Sequence, residues 1–154
     1  AITMTDISFY HLQRSRFEET LPVLLEKTLE AGKRALVKVG SIALAERLNS
    51  HLWDYQQGAW LPHGTSKDGR GEHQPIWLTS VDENPNGATF LFLGDGACSN
   101  DIGAFERCFE MFDGNDAVQL ARARERWQSY KNADHTLKYL QQTERGGWVE
   151  KATD

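Results

Sequence analysis

Short apolar runs alternate with leucine repeats along the first two thirds of the chain. The runs are rich in β-branched, aromatic and leucine residues and lie between glycine, proline or polar clusters, which is typical of strands. They predict strands at residues 7–12, 35–40, 75–79, 88–93 and 107–112, with a short extended piece at 59–63 and a polar loop at 64–74. The run at 88–93 is the most apolar, so we place it near the centre of a sheet.

Apolar residues that recur every fourth position predict helices between these strands. The repeat from Phe17 to Leu29 predicts a helix that a capping box at residues 15–18 starts and Gly32 ends. Pro22 conflicts with a helix interior, so this helix either kinks at Pro22 or begins near Thr20.

Three further helices are predicted downstream. Ser41 can cap a helix whose core stripe is Leu44, Leu48 and Leu52. A long helix is predicted at residues 117–133 and a shorter C-terminal helix at 136–142. Strands that alternate with helices through short links predict an α/β domain with a mainly parallel sheet.

The length of 154 residues fits a single domain. We expect residues 1–3, ahead of Met4, to be an expression remnant, residues 4–140 to be the domain and residues 141–154 to be a C-terminal extension. That extension contains Trp148, for which the sequence indicates no role.

The net charge of −5 is unevenly distributed and argues against non-specific binding of nucleic acid by the whole domain. Residues 1–117 hold 10 basic and 17 acidic side chains, or −7, whereas residues 118–154 hold 7 and 5, or +2. Because there is no membrane-length apolar run and no secretory signal pattern, we expect a cytoplasmic protein without membrane contact.

The predicted long helix carries most of this C-terminal basic charge. On a helix, Arg124, Trp127 and Lys131 share one face, while Arg122 and Arg126 share another. The first face suits an acidic or carboxylate-ended peptide with an apolar side chain. The alternative is a solvated basic helix with Trp127 in the core.

Motifs for catalysis or cofactor binding are weak. Residues 64–71 resemble a phosphate-binding loop in glycine spacing only, because Arg70 and Gly71 replace its lysine and its Ser/Thr. The histidines and the two cysteines, Cys98 and Cys108, lack metal-ligand spacing, and no serine lies in a nucleophile elbow. Gly94-Asp-Gly96 is interpreted as a turn. We therefore expect no catalytic residue, no metal and no cofactor.

Several short segments of the chain have the same order and spacing as segments of a known protein family. They are Ile7-Ser-Phe-Tyr10, Gly32-Lys-Arg-Ala-Leu-Val37, Leu52-Trp53, Trp60-Leu-Pro-His63, Pro75-Ile76, Ala123-Arg124-Glu-Arg126-Trp127 and Tyr130-Lys131. Together they make the chain, from Met4 to about Lys138, resemble the chi subunit of bacterial DNA polymerase III holoenzyme.

The resemblance implies a Rossmann-like three-layer α/β fold without a phosphate-binding loop. It also implies a non-catalytic adaptor that links the clamp loader, through the psi subunit, to single-stranded-DNA-binding protein, whose acidic C-terminal tail ends in phenylalanine. The alternatives are a small α/β enzyme or nucleotide-binding protein with a divergent site. Direct binding of single-stranded DNA is a third possibility, which the acidic net charge opposes.

The resemblance also implies site residues. Those for the tail of single-stranded-DNA-binding protein are Trp53, Arg124, Trp127, Gln128 and Lys131, with Gln128 at a position where the family often has lysine. Those for the psi side are Trp60 and Pro62.

Overall fold

Eight strands, three α-helices and a short 3-10 helix, Ile102–Ala104, form most of the described part of the chain. The computed structural model describes residues 5–13, 16–54, 63–65, 71, 74–94, 96–99, 102–145 and 147–151, with only the backbone of Trp53 and Asp54. In chain order the elements are β1 (Asp6–Leu12), α1 (Phe17–Glu30), β2 (Ala35–Lys38), α2 (Ile42–Asp54), β3 (His63–Thr65), β4 (Ile76–Thr79), β5 (Phe90–Leu93), β6 (Arg107–Asp113), α3 (Ala117–Asn132), β7 (Thr136–Gln142) and β8 (Trp148–Lys151).

The strands form one mainly parallel sheet, as the sequence predicts. Their order is β3-β4-β2-β5-β6-β1-β7-β8. The pairings from β3 to β7 are parallel, and the terminal β7–β8 pair is antiparallel. The most apolar strand, β5, lies between β2 and β6 with all four residues buried, so its central position is confirmed.

Helices cover both faces of the sheet, which gives three layers. Residues of α1 and α2 pack with one set of strand residues, which includes Tyr10, Val37 and Met111. Residues of α3 pack with the alternate set, which includes Phe9 and Phe112. We call the first face the helix-pair face and the second the α3 face. Because successive strand side chains point to opposite faces, each buried strand contributes to both cores.

The helix boundaries follow local capping chemistry. The capping box lies one residue later than predicted, because the Arg16 amide donates to the Glu19 carboxylate at 3.1 Å. The helix begins at Phe17 and continues through Pro22, so a start at Thr20 is wrong. Gly32, with φ of +74°, ends it as predicted, and its amide donates to the Leu29 carbonyl.

Ser41 caps α2 as predicted, since its hydroxyl accepts from the Leu44 amide at 3.2 Å. Two other predictions are wrong. Gly64 and Thr65 belong to strand β3 and not to a loop. The predicted helix at 136–142 is strand β7, which pairs with β1 from Asp6 opposite Thr136 to His11 opposite Gln141. Parallel pairing with a buried strand outweighs the weak helical preference of this short segment.

The C-terminal segment completes the sheet. Strand β8 pairs with β7, from Gln142 opposite Trp148 to Tyr139 opposite Lys151. The half-buried Trp148 packs edge-on against Tyr10 on the helix-pair face, with the ring centroids 4.9 Å apart. Residues 148–151 therefore belong to the same sheet as the predicted domain.

A buried carboxylate fastens α3 to the sheet. Glu110 of β6 is 1% exposed and accepts from the Arg126 guanidinium at 2.9 Å and from the Tyr130 hydroxyl at 2.5 Å. Both donors come from α3, four residues apart. Burial raises the pKa of Glu110, although Arg126 and the hydrogen bond from Tyr130 act in the opposite direction.

Removing the arginine of this cluster should destabilise the protein strongly. Arg126→Ala leaves the buried Glu110 carboxylate without its cation, so we expect unfolding to require about 3–5 kcal/mol less free energy. Arg122→Ala removes an exposed arginine from the same helix and should change stability by less than about 0.5 kcal/mol. Denaturant unfolding of the two variants and the wild type makes the comparison, and equal stabilities would contradict it.

Candidate functional site

The helix α3 turns a mixed face towards the sheet. Ala123 is buried, and Leu120, Arg126, Trp127 and Tyr130 are half-buried. These positions follow the helical repeat, and the side chain of Asp116 caps the first turn by accepting from the amides of the second and third helical residues. The exposed arginines and the lysine lie beside or opposite this face.

A groove opens between α3 and the neighbouring strand β7. We call it the helix–strand groove. Its volume is about 270 Å³, and its lining residues are Phe112, Leu120, Ala123, Arg124, Trp127 and Tyr139. Five of these six side chains are hydrophobic or aromatic, so the groove can hold an apolar group beside one guanidinium.

Aromatic contacts fix the walls of the groove. The indole of Trp127 packs edge-on against Phe9, with centroids 5.1 Å apart, and against Tyr139 at 5.9 Å. The ring centroids of Phe112 and Tyr139 lie 6.2 Å apart. Edge-to-face packing of this kind restrains ring orientation, so the groove has a defined shape before any ligand binds.

A buried histidine, His11, forms a hydrogen bond with the side chain of Tyr139. Nδ1 of His11 and the Tyr139 hydroxyl are hydrogen-bonded at 2.5 Å, with the donor set by the histidine tautomer. Burial lowers the pKa of His11, the positive charge of Arg124 lowers it further, and Asp113 opposes this change. Burial also raises the pKa of Tyr139, while Arg124 lowers it. The Arg124 guanidinium therefore acts electrostatically on both residues at the wall of the groove.

Arg124 is a free cation in the part of the chain that the structure describes. Its side chain is exposed, and it forms no ion pair or hydrogen bond with the described residues. Arg126, two residues later, is fully engaged with Glu110. A guanidinium without a protein partner at the edge of an apolar groove can grip a carboxylate with two parallel hydrogen bonds.

The structure brings together some of the predicted site residues. Arg124 and Trp127 line the same groove. Lys131 is exposed two turns along α3, and Gln128 is exposed and donates to the Asn132 side chain at 3.2 Å. Within the described residues, these four lie on one side of α3.

The structure describes only the backbone of Trp53, in the last turn of α2. The helix α2 packs on the helix-pair face and contacts β3 and β4, whereas α3 packs on the other face and contacts β6 and β7. The described lining of the groove includes no residue of α2. The Trp53 side chain, like Trp60 and Pro62, lies outside the described residues, so the roles of all three stay predictions.

The sequence pattern missed the strand side of the groove. The sequence predicts a helix over Tyr139, and nothing in the sequence links Phe112 or His11 to the long helix. The usable signal was the period-two alternation in β7, where Thr136 and Lys138 are exposed and Leu137 and Tyr139 are half-buried.

The described residues offer no competing chemistry of comparable quality. They contain no group of three or more metal-ligating side chains, and the free thiols are the exposed Cys98 and the buried Cys108. A cleft of about 330 Å³ lies at the carboxyl ends of β1 and β6, where α/β proteins bind nucleotides, and Arg16 and Arg47 are among its lining residues. Arg16 is mostly exposed, and its Nε lies 3.6 Å from the Glu19 carboxylate, so this arginine is not held in place for a phosphate.

No helix in the described ranges combines the length and the hydropathy that crossing a membrane requires.

The fold and the groove define a three-layer α/β protein with a cation-edged apolar groove beside its third helix. Comparison with known proteins gives the family. A family model described as "DNA polymerase III chi subunit, HolC" matches residues 4–138, so the chain belongs to the family of chi subunits, accessory subunits of DNA polymerase III.

One relative carries the same description. The "Probable DNA polymerase III subunit chi" of Rickettsia prowazekii (strain Madrid E) is 30% identical over 90 residues, or 58% of this chain and 54% of that protein. The chain thus matches about half the length of this relative.

The electrostatic effect of Arg124 on the pKa of His11 can be tested directly. Arg124→Ala removes a positive charge that disfavours protonation, so the pKa of His11 should rise towards its ordinary value of 6.5. Burial remains, so the rise should be incomplete. An NMR titration of the His11 imidazole measures the effect, with Arg122→Ala as the control.

The lowered pKa of His11 also makes the stability of the protein depend on pH. Folded His11 binds its proton less tightly than in the unfolded chain, so its contribution to stability falls as pH drops from 6.5 towards the lowered pKa.

An unchanged pKa of His11 in Arg124→Ala would show that the guanidinium does not approach the groove wall in solution.

Proposed function

We propose that the protein is a non-catalytic adaptor that binds the acidic, phenylalanine-ended tail of single-stranded-DNA-binding protein in the helix–strand groove. The observation that carries this proposal is the Arg124 guanidinium, which has no ion pair among the described residues, at an apolar groove walled by Trp127 and Tyr139. Membership of the chi subunit family supports the same role in DNA replication.

The two parts of a C-terminal phenylalanine match two parts of the groove. The terminal carboxylate suits the fork of Arg124, which can donate two parallel hydrogen bonds. The phenyl ring suits the space beside Trp127 and Tyr139, where aromatic edges and faces can pack against it. An internal phenylalanine has no such carboxylate, so the groove favours the end of a chain.

The acidic residues that precede the phenylalanine suit the exposed cation on the same helix. Lys131 is exposed to solvent and forms no ion pair with the described residues. Exposed pairs of this kind contribute about 0.2–1 kcal/mol, less than a hydrogen bond from Arg124 to the carboxylate. We therefore assign affinity chiefly to the groove and a smaller electrostatic share to Lys131.

Replacing Arg124 should weaken binding of such a tail. Loss of hydrogen bonds to a charged group costs about 1.5–3 kcal/mol, so Arg124→Ala should lower affinity for an acidic peptide ending in Pro-Phe at least tenfold. Arg122→Ala is the matched control, because Arg122 is an exposed arginine away from the groove. Calorimetric or fluorescence titration of the labelled peptide provides the measurement.

Two further arms sharpen the test. Lys131→Ala should have a smaller effect that fades as salt rises, and a peptide without its final phenylalanine should not bind measurably. If Arg124→Ala and Arg122→Ala bind the complete peptide equally, the helix–strand groove is not the tail site.

The affinity of Trp53→Ala for the same peptide tests separately whether Trp53 belongs to the tail site. The family resemblance predicts that Trp53→Ala loses affinity as Arg124→Ala does, whereas the described groove is built without α2. Wild-type affinity of Trp53→Ala would remove Trp53 from the tail site and leave the groove in place.

We also propose that Trp60 and Pro62 contact a psi subunit or another clamp-loader component. The support is the resemblance to chi proteins and the sequence Trp60-Leu-Pro62, since proline fixes its own φ and an aromatic side chain near it suits a binding hot spot. Trp60→Ala should weaken capture of that partner at least tenfold while the melting temperature changes little, as a pull-down and a thermal melt can show. A large drop in melting temperature would instead place Trp60 in the core.

A further inference from the structure

We infer that β8 adds a second cation, Lys151, to the helix–strand groove, where it binds the acidic residues that precede the terminal phenylalanine. This inference rests on the proposed function. It assigns a role to a segment beyond residue 138, where the match to the family model ends.

The strand register places Lys151 beside the groove. Tyr139 of β7 lies directly opposite Lys151 in the antiparallel β7–β8 pair. Residues directly opposite each other in such a pair project from the same face of the sheet, with Cβ atoms about 4.5–5.5 Å apart. Because Tyr139 lines the helix–strand groove, Lys151 projects from the sheet next to that wall.

Trp148 fixes this register. It lies three residues before Lys151, so its side chain projects from the opposite face, where it is half-buried against Tyr10 at 4.9 Å. The turn is closed by the Thr143 amide donating to the Gly147 carbonyl at 2.8 Å and by the Gly147 amide donating to the Thr143 hydroxyl at 3.1 Å. A slip by one residue would expose Trp148 and turn Lys151 away from the groove.

The charges around the groove favour an acidic occupant. Lys151 is exposed and forms no ion pair with the residues that the structure describes. Arg124 of α3 lines the same groove as Tyr139, and Lys151 adjoins Tyr139 from the strand side. A peptide whose terminal carboxylate binds Arg124 can therefore place a preceding aspartate near Lys151.

A charge reversal with a matched control tests this inference. Lys138 is an exposed lysine of β7 next to Tyr139 in sequence, so its side chain projects from the opposite face, opposite Ser8 of β1. Lys151→Glu and Lys138→Glu thus change the net charge equally but on different faces. Affinity of the full chain for the labelled acidic peptide ending in Pro-Phe is measured at about 0.05 M and about 0.5 M salt.

Lys151→Glu should weaken binding about fivefold at the lower salt and much less at the higher salt, while Lys138→Glu should stay within about twofold of wild type. Lys151→Gln should lie between wild type and Lys151→Glu, which separates lost attraction from added repulsion. Thermal melting identifies any variant whose fold has changed.

The outcomes separate this inference from the proposed function. If Arg124→Ala loses binding but Lys151→Glu binds as wild type, the role of Lys151 is wrong and the tail site stands. Equal weakening by Lys138→Glu and Lys151→Glu also overturns the inference, because the effect would then be that of net charge alone. If Arg124→Ala binds as wild type, the tail site is wrong and the role of Lys151 falls with it.

Discussion

The arrangement of the candidate site depends on the buried Glu110 carboxylate. Its two partners, Arg126 and Tyr130, are one helical turn apart on α3, so the three groups fix both the rotation of the helix and its position along β6. With Arg126 directed at Glu110, the helical repeat places Arg124 and Trp127 on the side of α3 that faces β7. The polar cluster thereby sets the geometry of an apolar groove that it does not line.

Burial of the Glu110 carboxylate costs desolvation free energy, which is offset only when its ion pair and hydrogen bonds are all formed. An unpaired buried charge destabilises a protein strongly, whereas a buried pair with satisfied hydrogen bonds contributes little net stability but restricts the arrangements that the chain can adopt. The raised pKa of Glu110 shows that burial outweighs its partners in the balance between the charged and neutral forms. The cluster is thus better understood as a positioning device for α3 than as a source of stability.

The sequence predicts the layers of this fold well because strand burial and helix caps are local signals. The apolar run of β5, the leucine stripe of α2 and the turn at Gly32 each specify their own structure. The helix–strand groove is harder to predict, because it is formed by pairing between distant segments. Arg122, Arg124 and Arg126 are equivalent as residue types, and only the contact with Glu110 shows which of them is engaged within the fold.

The misassigned segment 136–142 shows the same limitation. Its strand formers, Thr136 and Tyr139, stand among leucine, lysine and glutamine residues that favour helices, and the pairing with β1 across more than a hundred positions of sequence decides its conformation. Because Tyr139 lies in this segment, the wrong helix prediction leaves the strand wall of the helix–strand groove unpredicted. The resemblance to chi proteins supplied Arg124 and Trp127 without that wall, whereas the fold supplies the wall independently of the resemblance.

Recognition of a chain end requires that an apolar space and a cation be available together. Arg124 contributes little to the fold, since it has no ion pair with the described residues, and it disfavours protonation of the neighbouring His11. Trp127 and Tyr139 hold each other edge-on, and Arg124, which has no ion pair with the described residues, lines the same groove. The ligand that we propose, with both a ring and a carboxylate, matches this preorganised arrangement.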